Sequence, residues 1–282
     1  MKHYFAAAKE YARLYEGLTS EALFFNERLQ RVLQLIAPVR GGKVLDIGCG
    51  PGILLSRMGG SPLELFGLDL SPEMIAEAKA RTAGLTVNLA VGRVEHLPFP
   101  AQSFDVILAL GVLEYLPELK ASLMEIARIA KPNALIIVSM LNSVSLYRWW
   151  ERSISRGWTA LRYLLCGRRT EPTLWLHSEK SLVETMNACQ LEPVDVSYFA
   201  LNVCVPPFDS KYPKQAAALN RWVRLHCGGK LSQLANTAFL LKAHKNSPAQ
   251  QVSRVLDKSA SHGRARGLRT HEDPGRTVAK FQ

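Results

Sequence analysis

Apolar positions in the first half of the chain alternate between two periods. KVLDIG (43–48) is a β-branched run of buried-strand length, and GILLSRMG (52–59) behind it reads as a helix. LELFGLDL (63–70) predicts a second strand. SPEMIAEAKAR (71–81) predicts a helix with Ser71 as N-cap and Pro72 at the first helical position. LTVNLAVG (85–92) is a third strand, and SFDVILALGVLEYL (103–116) starts as a fourth strand and turns helical. ELKASLMEIARIA (118–130) is an amphipathic helix stopped by Lys131-Pro132-Asn133, and ALIIVSML (134–141) is a fifth strand. Parallel strands need crossover connections, so this alternation predicts a parallel sheet with helices on both faces.

The alternation breaks over 142–177, a segment rich in tryptophan and arginine. It resumes with helix SEKSLVETMNACQ (178–190), strand PVDVSYFAL (193–201), a Pro-Pro loop, helix KQAAALNRWVRLH (214–226) and strand TAFLLKAHK (237–245). Residues 1–37 have helical spacing, with Gly17 as a break. The expected organisation is an N-terminal helical cap (1–37), a main domain (38–245) with a lid-like insertion (142–177), and a basic tail (246–282). The tail is poor in large apolar residues, a composition that predicts disorder.

Composition narrows the class. The chain has 282 residues and is 48% hydrophobic, enough for one sizeable core. Its apolar runs are far shorter than a bilayer-spanning helix, and MKHYFAAAKEYARLYE carries charge throughout, with no signal-peptide core. Cys49, Cys166, Cys189, Cys204 and Cys227 are scattered and form no CxxC pair, so neither a disulfide framework nor a metal site is expected. The cytoplasm is the default location, with peripheral contact at the inner face of a membrane as an extension.

The net charge of +11 is concentrated outside the alternating region. Residues 147–170 hold six arginines against one acid, and residues 245–282 hold eight bases against three acids, a net of +5 each. Nucleic acid, anionic lipid or an acidic partner are open readings. The tail shows no basic stripe interleaved with stacking aromatics, so nucleic acid is the least favoured.

Candidate chemistry sits in the turn after the first strand. Gly48, Gly50 and Gly52 let a ligand approach the backbone closely, but Ile53 stands where a dinucleotide site wants its third glycine. Asp69, at the end of the second strand, is placed to accept from ribose hydroxyls. Asp46, two residues before the first glycine, would repel a pyrophosphate and suits a ligand with an ammonium and a sulfonium. Asp46 also reads as a turn cap, Asp69 as an N-cap, and Cys49 as inert packing.

VLDIGCGPG resembles the first motif of the class I S-adenosylmethionine-dependent methyltransferases. The resemblance extends through ELFGLDLSPEMIAEAK, VGRVEHLPFPAQSFDVILALGVLEYLPE and RIAKPNALIIVSM, over residues 40–141, and is to the small-molecule branch with the ubiquinone/menaquinone-biosynthesis methyltransferases. It implies an α/β, doubly wound, mostly parallel seven-stranded sheet of the Rossmann-like methyltransferase fold, with a helical insertion after strand five. It implies S-adenosyl-L-methionine as cofactor and a small acceptor, lipophilic or aromatic. Asp46 and Gly48 would border the methionine end, Gly50 and Gly52 the turn beneath it, Asp69 the ribose, Leu70 the adenine, and Ala109 the transferred methyl. Arg93 stands where the family has an adenine-binding aspartate; an arginine cannot accept that hydrogen bond, which leaves Glu95 or the Val94 backbone. Asn133-Ala134 replaces the family's Gly-Gly and requires a left-handed Asn133.

Methyl transfer from a sulfonium needs alignment and exclusion of water, with a general base only where the acceptor must lose a proton. Glu114, Tyr115 and His177 are the candidates; His177 also reads as a surface or capping residue. Over 146–165, Trp150, Ile154, Trp158, Leu161 and Leu165 line one helical face, while Arg148, Arg152, Arg156 and Arg162 line the other. That pattern suits a lid over the site, alone or in contact with an anionic membrane surface. The alternative from a different class is a non-catalytic S-adenosylmethionine-binding regulator or assembly protein.

Overall fold

A computed structural model describes residues 8–16, 20–150, 153, 174–202, 211–226 and 234–247. Helices α1 (Ala8–Arg13) and α2 (Ser20–Ile36) precede the sheet. The alternating region follows as β1 (Gly42–Ile47), α3 (Ile53–Arg57), β2 (Leu63–Asp69), α4 (Pro72–Arg81), β3 (Val87–Val91), β4 (Phe104–Leu110), a 3-10 turn at Leu113–Tyr115, α5 (Lys120–Ile129) and β5 (Ala130–Leu141). The chain continues with α6 (Glu179–Ala188), β6 (Leu191–Leu201), α7 (Pro213–His226) and β7 (Asn236–Lys245).

The seven strands lie in the order β3-β2-β1-β4-β5-β7-β6. All pairs from β3 to β5 are parallel, and β7 runs antiparallel to both β5 and β6. The strand order reverses between β1 and β4. At such a switch point the connections leave toward opposite faces and open a crevice outside the carboxyl ends of the strands.

Continuous apolar strands follow from burial on both faces. Along β4, Ile107 and Ala109 enter one core layer with Leu123 and Ile126 of α5 and Leu182 and Met186 of α6. Val106 and Leu108 enter the other, with Val32 of α2, Leu55 of α3 and Ile75 of α4. Full burial of one such aliphatic side chain contributes roughly 2 kcal/mol, so the layers rather than helix propensity hold these short helices. Ser71 caps α4, its hydroxyl accepting from Met74 N at 3.2 Å. Ser178 caps α6, accepting from Ser181 N at 3.1 Å.

Three boundaries differ from the sequence pattern. β4 ends at Leu110, and the helical continuation is a single 3-10 turn after Gly111. β5 begins at Ala130, because Asn133 adopts φ 62° and the strand resumes after a register shift instead of breaking. β6 begins at Leu191 and includes Pro193; as an edge strand with a register shift at that point, it tolerates a residue without an N–H.

α2 lies against the far edge of the sheet. Arg31 Nη1 donates to Ser197 Oγ at 2.8 Å, and the Phe24 and Phe199 rings are 5.4 Å apart. That anchorage carries the buried face of α2 across the crevice.

Candidate functional site

The turn after β1 is shaped by three glycines with positive φ, of 70° at Gly48, 52° at Gly50 and 76° at Gly52. A Cβ on Gly48 would lie 2.2 Å from Val112 Cγ2, whereas one on Gly50 would face the open cleft, with only Tyr11 within 4 Å. The turn is tied to β2: Gly48 N and Cys49 N both donate to Leu68 O, and Gly50 N donates to Asp69 Oδ2 at 2.8 Å. Asp69 Oδ1 accepts from Ser71 N at 2.9 Å. Asp69 therefore braces both loops, and the helix cap is Ser71. Burial raises the Asp69 pKa against the opposing pull of the Ser71 and Gly50 amides.

The cleft above this turn is lined by Tyr11, Tyr15, Arg28, Asp46, Gly50 and Leu110, among others. Asp46 and Arg28 are both buried. Burial raises the Asp46 pKa to about 7; Arg28 pulls it down and Asp69 pushes it up. Burial works against the Arg28 cation, but Tyr15, Tyr11 and Glu114 hold its pKa above the ordinary arginine value. Its guanidinium sits 5.0 Å from the Phe25 ring centroid and donates from Nη2 to Tyr15 Oη at 3.4 Å.

Arg28 escaped the sequence reading, which treated 1–37 as a cap without site residues. Its signal was position. With Leu29, Val32 and Ile36 it occupies the buried stripe of α2, where a charge is costly unless it has partners. Gly111 was also missed. At φ 73° its missing side chain leaves the space that the guanidinium fills: a Cβ there would meet Arg28 Nη1 at 2.7 Å.

Glu114 is buried, and its Oε2 has no hydrogen-bond partner among the described residues. Burial raises its pKa to about 7, moderated by its own amide and by the Arg28 and Arg148 cations. The helical periodicity put Arg148 on an outer polar face; instead it is half-buried and its charge acts on Glu114. Of the expected helix over 146–165, residues 151–152 and 154–165 lie outside the described residues, including Ile154, Trp158, Leu161 and Leu165. Residues 146–150 are helical, with Trp150 half-buried and Trp149 exposed.

The remaining candidates scatter around this centre. Tyr115 is exposed. His177 lies beside Leu116, its Nε2 2.9 Å from Leu116 O, while Trp175 N donates to Glu114 O at 2.7 Å. The segment 174–177 is thus laced onto the 3-10 turn. Leu70 is exposed next to Asp69, Ala109 is fully buried in β4, and Val94 is in the core. Arg93 points outward and donates from Nη2 to Glu95 Oε1 at 3.2 Å, so these two residues engage each other. Burial, with Asp46 and Asp69 nearby, pushes the Cys49 thiol up, which leaves it inert.

S-adenosylmethionine fits this donor set. An amino-acid zwitterion would find buried groups of opposite charge in Arg28 and Asp46, beside a turn that lets a ligand approach the backbone. A pyrophosphate would meet the Asp46 carboxylate.

Residues 45–138 match the family described as Methyltransferase domain. The ubiquinone biosynthesis O-methyltransferase of Azorhizobium caulinodans is 37% identical over 112 residues, covering 38% of this chain and 43% of that protein. The corresponding Bartonella bacilliformis protein is 28% identical over 170 residues, covering 59% of this chain and 68% of its own. The chain spans about half the length of most of the curated relatives it matches. Among solved structures, magnesium protoporphyrin IX methyltransferase from Synechocystis superposes with a TM-score of 0.60 at 15% identity, covering 86% of this chain and 95% of that one. A possible histamine N-methyltransferase from Thermotoga maritima superposes with a TM-score of 0.57 at 19% identity, covering 87% and 100%. Likeness at that identity establishes the fold.

Residues 45–138 thus form a methyltransferase domain, on a sheet whose strand order and glycine turn are those expected of the class I S-adenosylmethionine-dependent fold. Within that class, the domain is similar to that of the ubiquinone-biosynthesis O-methyltransferases.

Proposed function

We propose that this chain is a methyltransferase that carries the methyl group of S-adenosylmethionine to a small, lipophilic or aromatic acceptor by in-line displacement. The observation that carries the cofactor half is that buried Arg28 and buried Asp46 line one cleft with the three-glycine turn, the charge of the first acting on the second. Bound there, the cofactor supplies an activated methyl on a cationic sulfur, so the protein needs no electrophile of its own. Arg28 receives the carboxylate and Asp46 the ammonium. The Asp69 edge faces the ribose, and exposed Leu70 offers its side chain to the adenine. Val94 and Glu95 take part through their backbones, since the Glu95 carboxylate is engaged with Arg93.

The acceptor half rests on Glu114. A buried carboxyl with a pKa near 7 is matched to taking a proton from a phenol at neutral pH, and its unpartnered oxygen is available to hold one. Tyr115 borders the entrance, and His177 positions the adjoining turn through Leu116 O. The ubiquinone-biosynthesis relatives favour oxygen as the methylated atom. Arg93 lies at the surface and Glu114 offers a base, which favours turnover over cofactor binding without catalysis. A cytoplasmic protein in peripheral contact with a membrane through 146–165 fits a lipophilic acceptor; no described helix is long and apolar enough to cross a bilayer.

Calorimetric titration with S-adenosylhomocysteine, S-adenosylmethionine and NAD tests the cofactor, and labelled-methyl transfer to prenylated and plain catechols tests the acceptor. Binding of the first two ligands, with label in the catechols, is expected. Heat with NAD alone would remove the cofactor reading. Tight S-adenosylmethionine binding with no label in any catechol would remove the acceptor reading.

A further inference from the structure

Strand pairing brings four chain segments to one edge of the sheet. Ile47 is level with Ala109 and Ala109 with Val138, so the glycine turn, the Gly111–Glu114 segment and the chain after β5 leave together. Antiparallel pairing sets Leu141 opposite Ala238 and Leu201 opposite Asn236. The connection that contains α7 therefore emerges at the cofactor edge. Side-chain and backbone bonds stitch these exits, with Asn142 Nδ2 donating to Asn236 O at 2.8 Å and Asn202 N to Ala235 O at 3.2 Å.

α7 has an unusual surface for a helix of a water-soluble domain. Leu219, Trp222 and Leu225 follow one another at three-residue steps, one side of a helix, and are 44%, 56% and 72% exposed. The indole of Trp222 stacks on His226, which extends the flat apolar face. Lys214 and Arg221, seven residues apart, are exposed along one border. Residues 211–226 contain Lys211, Lys214, Arg221 and Arg224 and no acidic residue.

We infer that α7 is an in-plane docking helix for an anionic lipid surface. Large apolar side chains with tryptophan on one face, flanked by bases and free of acids, fit the boundary between headgroups and acyl chains. A protein partner would be expected to select a mixed-charge rim; uniform positive charge complements a sheet of phosphates. Exposed Leu146 and Trp149 follow β5 at the same edge of the sheet. Docked in this way, the protein presents the edge that carries Glu114 to the bilayer. The surface does not depend on the acceptor being lipophilic, but that reading gives it a purpose.

The test is flotation of the full chain with phosphatidylglycerol/phosphatidylcholine vesicles and with pure phosphatidylcholine vesicles. The variants are a triple Leu219→Ser, Trp222→Ser, Leu225→Ser and a double Lys214→Glu, Arg221→Glu. The wild type should float with anionic vesicles only, and each variant should lose about ten-fold or more in partitioning. S-adenosylhomocysteine titration of both variants should match the wild type, which reports an intact fold and site. Wild-type levels of flotation in the triple variant, or equal flotation with neutral lipid, would overturn the inference. So would a wild-type dimer, in sedimentation velocity, that the triple variant dissociates. Loss of homocysteine-ligand binding with retained flotation would instead remove the cofactor reading and leave this surface standing.

Discussion

Arg28 and Glu114 face each other over the bare Cα of Gly111, where a Cβ would stand 2.7 Å from Arg28 Nη1 and 3.6 Å from Glu114 Oε1. A helix from the N-terminal region and the turn after β4 are thereby joined through buried charge. The charge of Arg28 acts on Asp46 as well as on Glu114, so one cation serves the two halves of the proposed site.

Gly111→Ala tests that junction. The substitution forces a non-glycine residue to φ 73°, at about 1–3 kcal/mol, and drives a methyl into the guanidinium. Thermal unfolding should register the strain. Calorimetry should show S-adenosylhomocysteine affinity falling by roughly ten-fold or more. Wild-type affinity at lowered stability would show that Arg28 need not stay in place.

Arg28→Met removes the charge at similar length. Breaking a buried charge cluster costs about 3 kcal/mol, and Asp46 and Glu114 lose the cation that holds their pKa values down. Cofactor affinity should fall roughly a hundred-fold, as for a lost charge-assisted pair. Arg28→Lys should recover part of it. Equal losses in the two variants would mean that Arg28 acts through packing alone.

Much of this arrangement was legible in the sequence, and the illegible part has a physical cause. The strands at 43–48, 63–70 and 134–141 were readable because both of their faces are buried, which leaves an uninterrupted apolar run. Asp46 and the glycines were readable because they fall within a few residues of one turn, and Asp69 because it ends the next strand. Arg28 was not, because it reaches the site from an element whose partner strand, β6, is some 170 positions away along the chain. Arg148 was misplaced because periodicity assigns a helix face but cannot say that a buried acid lies opposite. Arg93 lies at the surface with its guanidinium on Glu95, an engagement that sequence order alone does not specify.

The raised carboxyl at position 46 predicts a pH dependence whose sign can be worked out. Its folded pKa is about 7 and its unfolded value about 4, so between those limits the folded state holds a proton that the unfolded state has released. Unfolding then becomes easier as pH rises through that window, by a few kcal/mol in total. Binding of the ammonium needs the ionised form, so cofactor affinity should climb from pH 6 to pH 8 and level off. Asp46→Asn should flatten both curves relative to the wild type. Parallel curves for the two proteins would assign the dependence to another group.

Glu114→Gln separates stability from chemistry. Above pH 7 the wild-type carboxylate is ionised and buried, with one oxygen unpartnered, so its neutral isostere should stabilise the protein by up to a few kcal/mol at pH 8. Near pH 4, below the unfolded as well as the folded pKa, the wild-type group is largely neutral in both states and the two proteins should unfold alike. Cofactor affinity should stay within about three-fold, because Asp46, Arg28 and the glycine turn line the cofactor cleft and Glu114 is not among the residues named there. Turnover of a catechol should drop about a hundred-fold or more if Glu114 takes the acceptor proton. The residual rate should lose the inflection near pH 7 and rise with the ionisation of the phenol itself. A full wild-type rate with that inflection intact would move the base elsewhere, and exposed Tyr115 would be the next residue to replace.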